Sequence, residues 1–506
     1  MTTSKLLLSL KFIGVLTLMV ICTLPANAQF LRTSYFMEGT HYRQQLNPAL
    51  MPTKGYFNLP VVGALNVTAN STSLGYQDII DIIDNGNDFY KSSDFMGRLK
   101  DNNNLNVNFN TEILSAGWYK GQNFWTVNVG LRMDIGAKIT KSMFSFLNEV
   151  DELENNWNNN EYNIGGQQLN INAFTEIGVG YARALNNRLT VGGKVKALLG
   201  IGNMELKINN AYMKANLPTE ARLQQFKEMQ ITDMGQVNAL KSEISKYAAD
   251  LNVSATLESS FKGLNLKKEE GQDYISEFEF ESKDMGIAGY GFGIDLGASY
   301  KLMDNLTVSA SILDLGFISW SKGSTKYATA GNRIELDGKT YVDELSKATT
   351  IAEAQAIVNN FSNLSTDYLD RVGGGDVLNY DMLQLTENNE GKSRKSSLAS
   401  TLVFGAEYGL FNNKLAFGVL STTRFVQPKS LTELTLSANY RPKSWFNVAL
   451  SYSAIQSAGK SFGLGLKLGP VFVGTDYMFL GKNSKSVNGF VGISVPLGGK
   501  KVEKQG

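Results

Sequence analysis

Residues 292–300 read Phe292-Gly293-Ile294-Asp295-Leu296-Gly297-Ala298-Ser299-Tyr300. Every second residue is apolar, and those between are Gly, Asp or Ser. A period of two puts the two classes on opposite faces of an extended strand. The pattern returns at Leu402, Phe404, Ala406, Tyr408 and Leu410, and again at Phe446, Val448, Leu450, Tyr452 and Ala454. It recurs from residue 105 to residue 495. A soluble sandwich turns such apolar faces against one another. Here the other face carries glycines and charges, and a secretion signal stands in front. That combination favours the inverse arrangement, with the apolar face toward lipid and the polar face lining a lumen.

Residues 1–28 read as a secretory signal peptide: Lys5 and Lys11 start it, Phe12 to Leu24 is its apolar core, and Ala26-Asn27-Ala28 is the cleavage site. Gln29 then opens the mature chain. The apolar core is too short to cross a bilayer as a helix. Cys22 is the single cysteine and lies inside the signal, so the mature chain offers no disulfide, zinc cluster or thiol nucleophile. Removing Lys5 and Lys11 reduces 48 Lys and Arg to 46, against 47 Asp and Glu, for a net charge near −1. No basic stripe marks a nucleic-acid partner. After residue 28 no apolar run is long enough for a spanning helix, but a closed barrel can cross a membrane instead.

The alternation defines about fourteen strands, at 55–69, 105–119, 122–138, 168–184, 188–208, 286–301, 304–320, 397–410, 414–426, 432–441, 445–456, 460–468, 471–480 and 487–496. Connections after even-numbered strands are short, and several carry turn residues, as at Asn186-Asn187, Asn412-Asn413 and Gly469-Pro470. Every long connection (70–104, 139–167, 209–285, 321–396) follows an odd-numbered strand. Outer-membrane barrels have short periplasmic turns and long outer loops, so both chain ends belong in the periplasm. Tyr181, Tyr300, Tyr408 and Tyr440 fall at apolar-face positions beside short turns, where an interfacial aromatic girdle belongs. Spacing at Leu223, Phe226, Met229, Leu240, Ile244 and Tyr247 predicts helix within Leu217–Leu251, and Ser346–Phe361 reads likewise. Tyr274–Phe280 alternates as a short strand, while Asn102–Asn104 and Asn155–Asn160 read as solvated loop tips.

Chemistry finds little support. His41 is the only histidine, and no nucleophile elbow, P-loop or metal-ligand spacing accompanies it. The chain reads as a non-enzyme with no cofactor and no metal. With the apolar set outward, the lumen receives Glu112, Arg132, Asp134, Glu176, Lys194, Lys196, Asp295, Glu407, Glu433, Arg441, Lys467 and Asp476. Mixed signs favour ion pairs that fill the lumen over a charge-selective path, which would show rings of one sign. Leu296→Arg should be costly on the lipid face, whereas Gly297→Ser, facing the lumen, should be mild.

Asn47-Pro48-Ala49-Leu50, just before the first strand, resembles the Asn-Pro-Ala motif of the long-chain fatty-acid transporter family of outer-membrane barrels. The layout of the whole chain is similar to that family's. The resemblance implies a fourteen-stranded barrel plugged by its N-terminal segment, with Asn47, Pro48 and Ala49 as plug anchors. Relatives of that general kind include barrel subunits of the type IX secretion system. The long 209–285 and 321–396 loops and the non-aromatic end Gly498-Gly499-Lys500-Lys501 depart from the pattern. The expected organisation is a signal peptide at 1–28, a plug at 29–54, an all-β antiparallel transmembrane barrel at 55–497 with partly helical extracellular loops, and a periplasmic tail at 498–506. Its place is the cell outer membrane, in contact with lipid. Three readings fit: passive uptake of hydrophobic or amphipathic small molecules, a non-transporting barrel that binds a surface or secretion partner through its long loops, or a soluble secreted β protein whose alternating apolar faces pack against each other. An apolar pocket behind the plug would favour uptake, and a lumen filled by ion pairs the second.

Overall fold

The computed structural model describes residues 32–37, 40–58, 64–75, 78, 93–153, 157, 159–372, 383–388, 392–455, 460–476 and 485–499. The expected signal peptide, half of the Asn155–Asn160 tip (155, 156 and 158) and residues 500–506 of the tail lie outside them. Fourteen wall strands form the barrel. They are β1 (Lys54–Asn58, continued by Ala64–Ser71), β2 (Asn102–Lys120), β3 (Asn123–Thr140), β4 (Gln167–Ala184), β5 (Leu189–Asn216), β6 (Gly289–Met303) and β7 (Leu306–Trp320). The second half comprises β8 (Thr401–Leu410), β9 (Leu415–Arg424), β10 (Leu431–Lys443), β11 (Phe446–Ile455), β12 (Ser461–Leu468), β13 (Val471–Thr475) and β14 (Ser486–Gly499). Each pairs antiparallel with the next, and β14 returns to β1 through Phe57↔Val495 and Leu65↔Val491. The ring has no free edge, so every wall strand is hydrogen-bonded on both sides.

The two faces are inverted relative to a soluble protein. In β5, Val195 is 52% exposed while its neighbour Lys196 is 1% exposed; in β6, Leu296 is 51% exposed and Asp295 3%. Water does not stabilise a continuous apolar outer wall with carboxylates inside; lipid does. At the short-turn end Trp118, Trp125, Tyr300, Tyr408 and Tyr440 are exposed, and Tyr181 lies opposite Trp125. The turns use left-handed backbone: Gly121 has φ 65°, Gly469 φ 59°, and Phe411, Asn412 and Asn413 have φ 52°, 55° and 61°.

The long connections do not decorate the mouth separately. Those after β3, β5 and β7 share one core, while Phe95 and Leu99 of the first pack in a separate cluster with Phe144. β5 runs past the expected end at 208 to Asn216, and the excess pairs with strand Ala248–Phe261. That strand pairs with Thr325–Asp337, which pairs with Thr386–Asn388, while Asn160–Asn163 covers the other side of the extension. Helices Lys141–Leu153, Glu220–Glu228, Met234–Ile244, Gly338–Lys347 and Ile351–Val372 accompany this small sheet. Phe226, Leu240, Leu251, Leu257, Leu345, Val358, Phe361 and Tyr368 belong to one buried cluster of 34 residues. The largest apolar cluster inside the ring has seven, so the main core lies outside the membrane wall.

Several expectations are corrected here. The helical part of Leu217–Leu251 ends early: it is two helices, the second capped by Asp233 through bonds from Gly235 N and Gln236 N, and the chain turns to strand at Ala248. Helix 351–372 runs beyond the expected Phe361, because its buried stripe continues through Ser365, Tyr368 and Val372. Tyr274–Phe280 is strand only at Glu277–Phe280, paired with Leu264–Lys267. Asn102–Asn104 is no solvated tip: Asn103 is buried, and its amide donates to Lys100 O (2.8 Å) and Ile139 O (3.1 Å).

Candidate functional site

Residues 32–37 and 40–50 lie inside the ring. Helix α1 (Arg32–Tyr35) starts near the long-connection end, where Arg32 N and Thr33 N donate to the Asp476 carboxylate at 3.1 and 2.7 Å. Arg32 pairs with Glu433 (3.2 Å) and donates to Ser453 Oγ (2.8 Å), while Thr33 Oγ1 lies 2.7 Å from Ser451 Oγ. The chain then descends. Arg441 donates to Phe36 O (3.3 Å) and pairs with Glu407 (2.6 Å), which Arg43 approaches at 4.0 Å. His41 stacks on Tyr56 with centroids 4.2 Å apart, and its Nε2 lies 3.1 Å from Glu112 and 2.8 Å from Asn58 Nδ2. Helix α2 (Arg43–Leu46) leads into Asn47, whose Nδ2 donates to Ala298 O and Ala310 O at 3.2 Å each. Asn47 Oδ1 accepts from Ala49 N at 2.9 Å. This local bend uses an Asn side chain as backbone substitute, with Pro48 leaving no amide unpaired.

Inward glycines make room for the segment. A Cβ on Gly405 would meet the Tyr35 ring, one on Gly418 the Phe36 ring, and one on Gly465 Met37 Sδ at 2.7 Å. Gly192 and Gly297 are cross-strand partners, and together they seat the Asn-Pro-Ala motif. A Cβ on Gly297 would lie 2.1 Å from Asn47 Oδ1 and 2.9 Å from Pro48 Cδ. The expected mildness of Gly297→Ser is therefore overturned: the position faces the lumen, but a buried side chain already fills the space beside it.

Five of the remaining inward charges, joined by Asp314, form one cluster on β3 to β7. Glu176 lies 2.9 Å from Arg132, 3.0 Å from Lys194 and 3.7 Å from Lys196. Lys196 also reaches Asp295 (2.6 Å) and Asp314 (2.5 Å), and Arg132 grips Asp314 at 2.8 Å. Elsewhere Asp134 pairs with Arg424 (2.7 Å), and Lys467 donates to Ser444 O (2.8 Å). Asp314 is a central acid that alternation misses. Counting by twos from Leu306 puts it outward, but residue 314 has φ 57° and sits in a bulge, where the β6–β7 register breaks between Ile294 and Leu296. The bulge turns Asp314 inward, and its N–H donates to Asp295 Oδ1 at 2.8 Å. The signal in the sequence is the jump of the apolar phase from Ile312 to Leu315.

Two cavities lie between the segment and the wall. One of about 20 Å³ is lined by His41, Gln45, Glu112 and Lys194, the other, about 30 Å³, by Asn66, Asn108, Arg132 and Arg424. Each has room for a water or two; the lining of the second is mostly polar, and that of the first mixes polar groups with Pro48, Tyr56 and Phe124. Held in this way, the segment packs against the inner wall.

Solved structures similar to this chain include the Ralstonia pickettii toluene transporter TbuX, at 9% identity over 93% of this chain and 95% of that one, with TM-score 0.36. The Pseudomonas putida toluene transporter TodX shows 9% identity over 93% of each chain, with TM-score 0.33. A Pseudomonas aeruginosa FadL homologue shows 8% identity over 93% of this chain and 95% of that one, with TM-score 0.36. No curated protein matches the sequence. Residues 48–476 match the family model described as "Family of unknown function (DUF5723)", and the chain belongs to that family.

Proposed function

We propose that this protein is an outer-membrane channel for hydrophobic or amphipathic small molecules, held shut by its N-terminal segment. One observation carries the reading. An eight-stranded ring is filled by its own side chains, whereas wider rings leave a lumen; this fourteen-stranded ring holds residues 32–37 and 40–50, a segment that is part of no wall strand. A filler that belongs to no wall strand can leave without breaking the barrel. In this reading Asn47, Pro48 and Ala49 are the seat, and Glu112, Glu407, Glu433 and Asp476 are the wall groups that hold the gate.

The test exploits the absence of cysteine from the mature chain. Thr33→Cys with Ser451→Cys places two thiols where the native hydroxyl oxygens are 2.7 Å apart. Reconstituted vesicles would be assayed for entry of an apolar fluorophore. The oxidised pair should block entry and reduction should restore it. Equal entry in both states, or no entry above empty vesicles, removes the gate. A second reading then stands, a non-transporting barrel that displays a partner-binding domain. The 34-residue core of the outer domain favours it, because a mere lid needs no such core, and so does the ion-paired cluster inside the ring.

A further inference from the structure

On the long-connection side of β6 and β7 the apolar wall ends in a patch that transport does not use. Tyr290 is 66% exposed and Met285 57%; Ile287 is exposed beside them. Phe292 and Phe317, also exposed, continue the strip down the wall. Three lysines stand over it. Lys395 lies opposite Ser319, which lies opposite Tyr290, and Lys395 Nζ sits 5.1 Å over the Phe317 ring. Lys262 Cδ is 3.5 Å from where a Cβ on Gly286 would be. Lys322 opens the turn in which Ser324 Oγ donates to Ala288 O at 2.9 Å. Among the described residues none of these three lysines has an ion-pair partner. The nearby acids include Glu281, paired with Lys283 at 2.7 Å, Glu258, paired with Arg394 at 2.7 Å, and Asp284.

Exposed aromatic and apolar side chains, edged by lysines that have no ion-pair partner, match an amphiphile with an anionic head. The apolar strip is continuous with the lipid-facing wall, so acyl chains need no separate groove. The long-connection side of such barrels faces outward, which puts the patch at the outer leaflet. We propose that Lys262, Lys322 and Lys395 bind the phosphates of a phosphorylated outer-leaflet glycolipid whose acyl chains lie along Tyr290, Phe292 and Phe317. Each lysine near an anionic headgroup is worth about a fivefold gain in affinity, and three together roughly a hundredfold.

The full-length barrel would be placed in phosphatidylcholine nanodiscs doped with a bisphosphorylated diglucosamine lipid or its dephosphorylated form, and retained lipid measured by mass spectrometry. The wild type should retain the phosphorylated form about a hundredfold better. The triple variant Lys262→Gln/Lys322→Gln/Lys395→Gln should lose that preference while keeping the heat-modifiable gel mobility of a folded barrel. Tyr290→Ser should lower retention of both lipids alike. The proposal is overturned if the triple variant keeps the preference, if the dephosphorylated lipid is held equally well, or if inorganic phosphate alone displaces the lipid.

Discussion

Gly192→Ala adds one methyl group to the lumen wall and isolates the seat of the N-terminal segment. The new Cβ would lie 2.5 Å from Pro48 C and O and 2.7 Å from Ala49 N. All three are backbone atoms, so no rotamer change relieves the overlap. Restoring ordinary contact, from 2.5 Å to 3.4 Å, requires a displacement of about 0.9 Å. The two bonds from Asn47 Nδ2 are already 3.2 Å long, and the same displacement takes them out of range. Losing two hydrogen bonds and leaving a buried amide unpaired costs about 2–4 kcal/mol. Against a typical total of roughly 5–15 kcal/mol, that is a large share. Gly331, in strand 325–337, is the control: nothing lies within 4 Å of its added Cβ, and its alanine variant should change stability by about 0.5 kcal/mol at most. Both variants would be unfolded in detergent by guanidinium, following tryptophan fluorescence. The Gly192 variant should unfold at clearly lower denaturant. Coincident midpoints for the two would refute the seat, and with it the gating argument built on residues 47–49.

Three other perturbations separate the parts of the molecule. Leu296→Arg puts a guanidinium on the lipid face at mid-strand and should cost roughly 2–4 kcal/mol of insertion free energy, read as folding yield in vesicles; wild-type yield would mean the faces are misassigned. Lys196→Met removes the shared partner of Asp295 and Asp314 and should cost roughly 3–5 kcal/mol in denaturant unfolding; an unchanged midpoint would show that Arg132 alone suffices. In the outer domain, the hydrogen bonds from Arg222 to Glu243 (2.7 and 2.6 Å) hold that carboxyl below its ordinary 4.5. A lowered folded-state value stabilises above the unfolded value and loses that contribution as pH falls through the folded one. Protease resistance of the outer domain should thus fall below pH 4.5, less so in Glu243→Gln; identical acid profiles would remove the pair from the account.

The wall was legible because its physics is local. A period of two with Leu296 outward and Asp295 inward needs no knowledge of the partner strand, and turn residues at Asn186, Asn412 and Gly469 mark the short ends directly. Asp314 was hidden because a bulge changes parity, and parity was the whole signal. The outer domain was hidden for a different reason. Its sheet joins residues 212–216, 248–261, 325–337 and 386–388, which pair only across long stretches of sequence, so each piece read alone is a weak strand or a short helix. The motif at Asn47 was visible, but its seat was not: nothing in residues 189–195 or 294–300 distinguishes Gly192 and Gly297 from the other inward glycines.

The balance of forces on the N-terminal segment bears on what could open it. Its polar groups, such as Arg32 and Arg43, exchange wall partners for water when the segment leaves, so their net contribution to closure is modest. Its apolar groups do not. Tyr35, Phe36, Met37 and Leu46 are almost fully buried, and exposing them costs about 1.5–3 kcal/mol each, or roughly 6–12 kcal/mol together as an upper bound. Under the proposed gate, if the full bound is realised, spontaneous opening is rarer than about one molecule in ten thousand. A polar solute cannot offset that term. A hydrophobic one can, by covering Leu313, Val403 and Leu420, the wall residues that Tyr35 and Phe36 now cover. Under the proposed gate, the same side chains that hold the channel shut also specify that its opener is apolar.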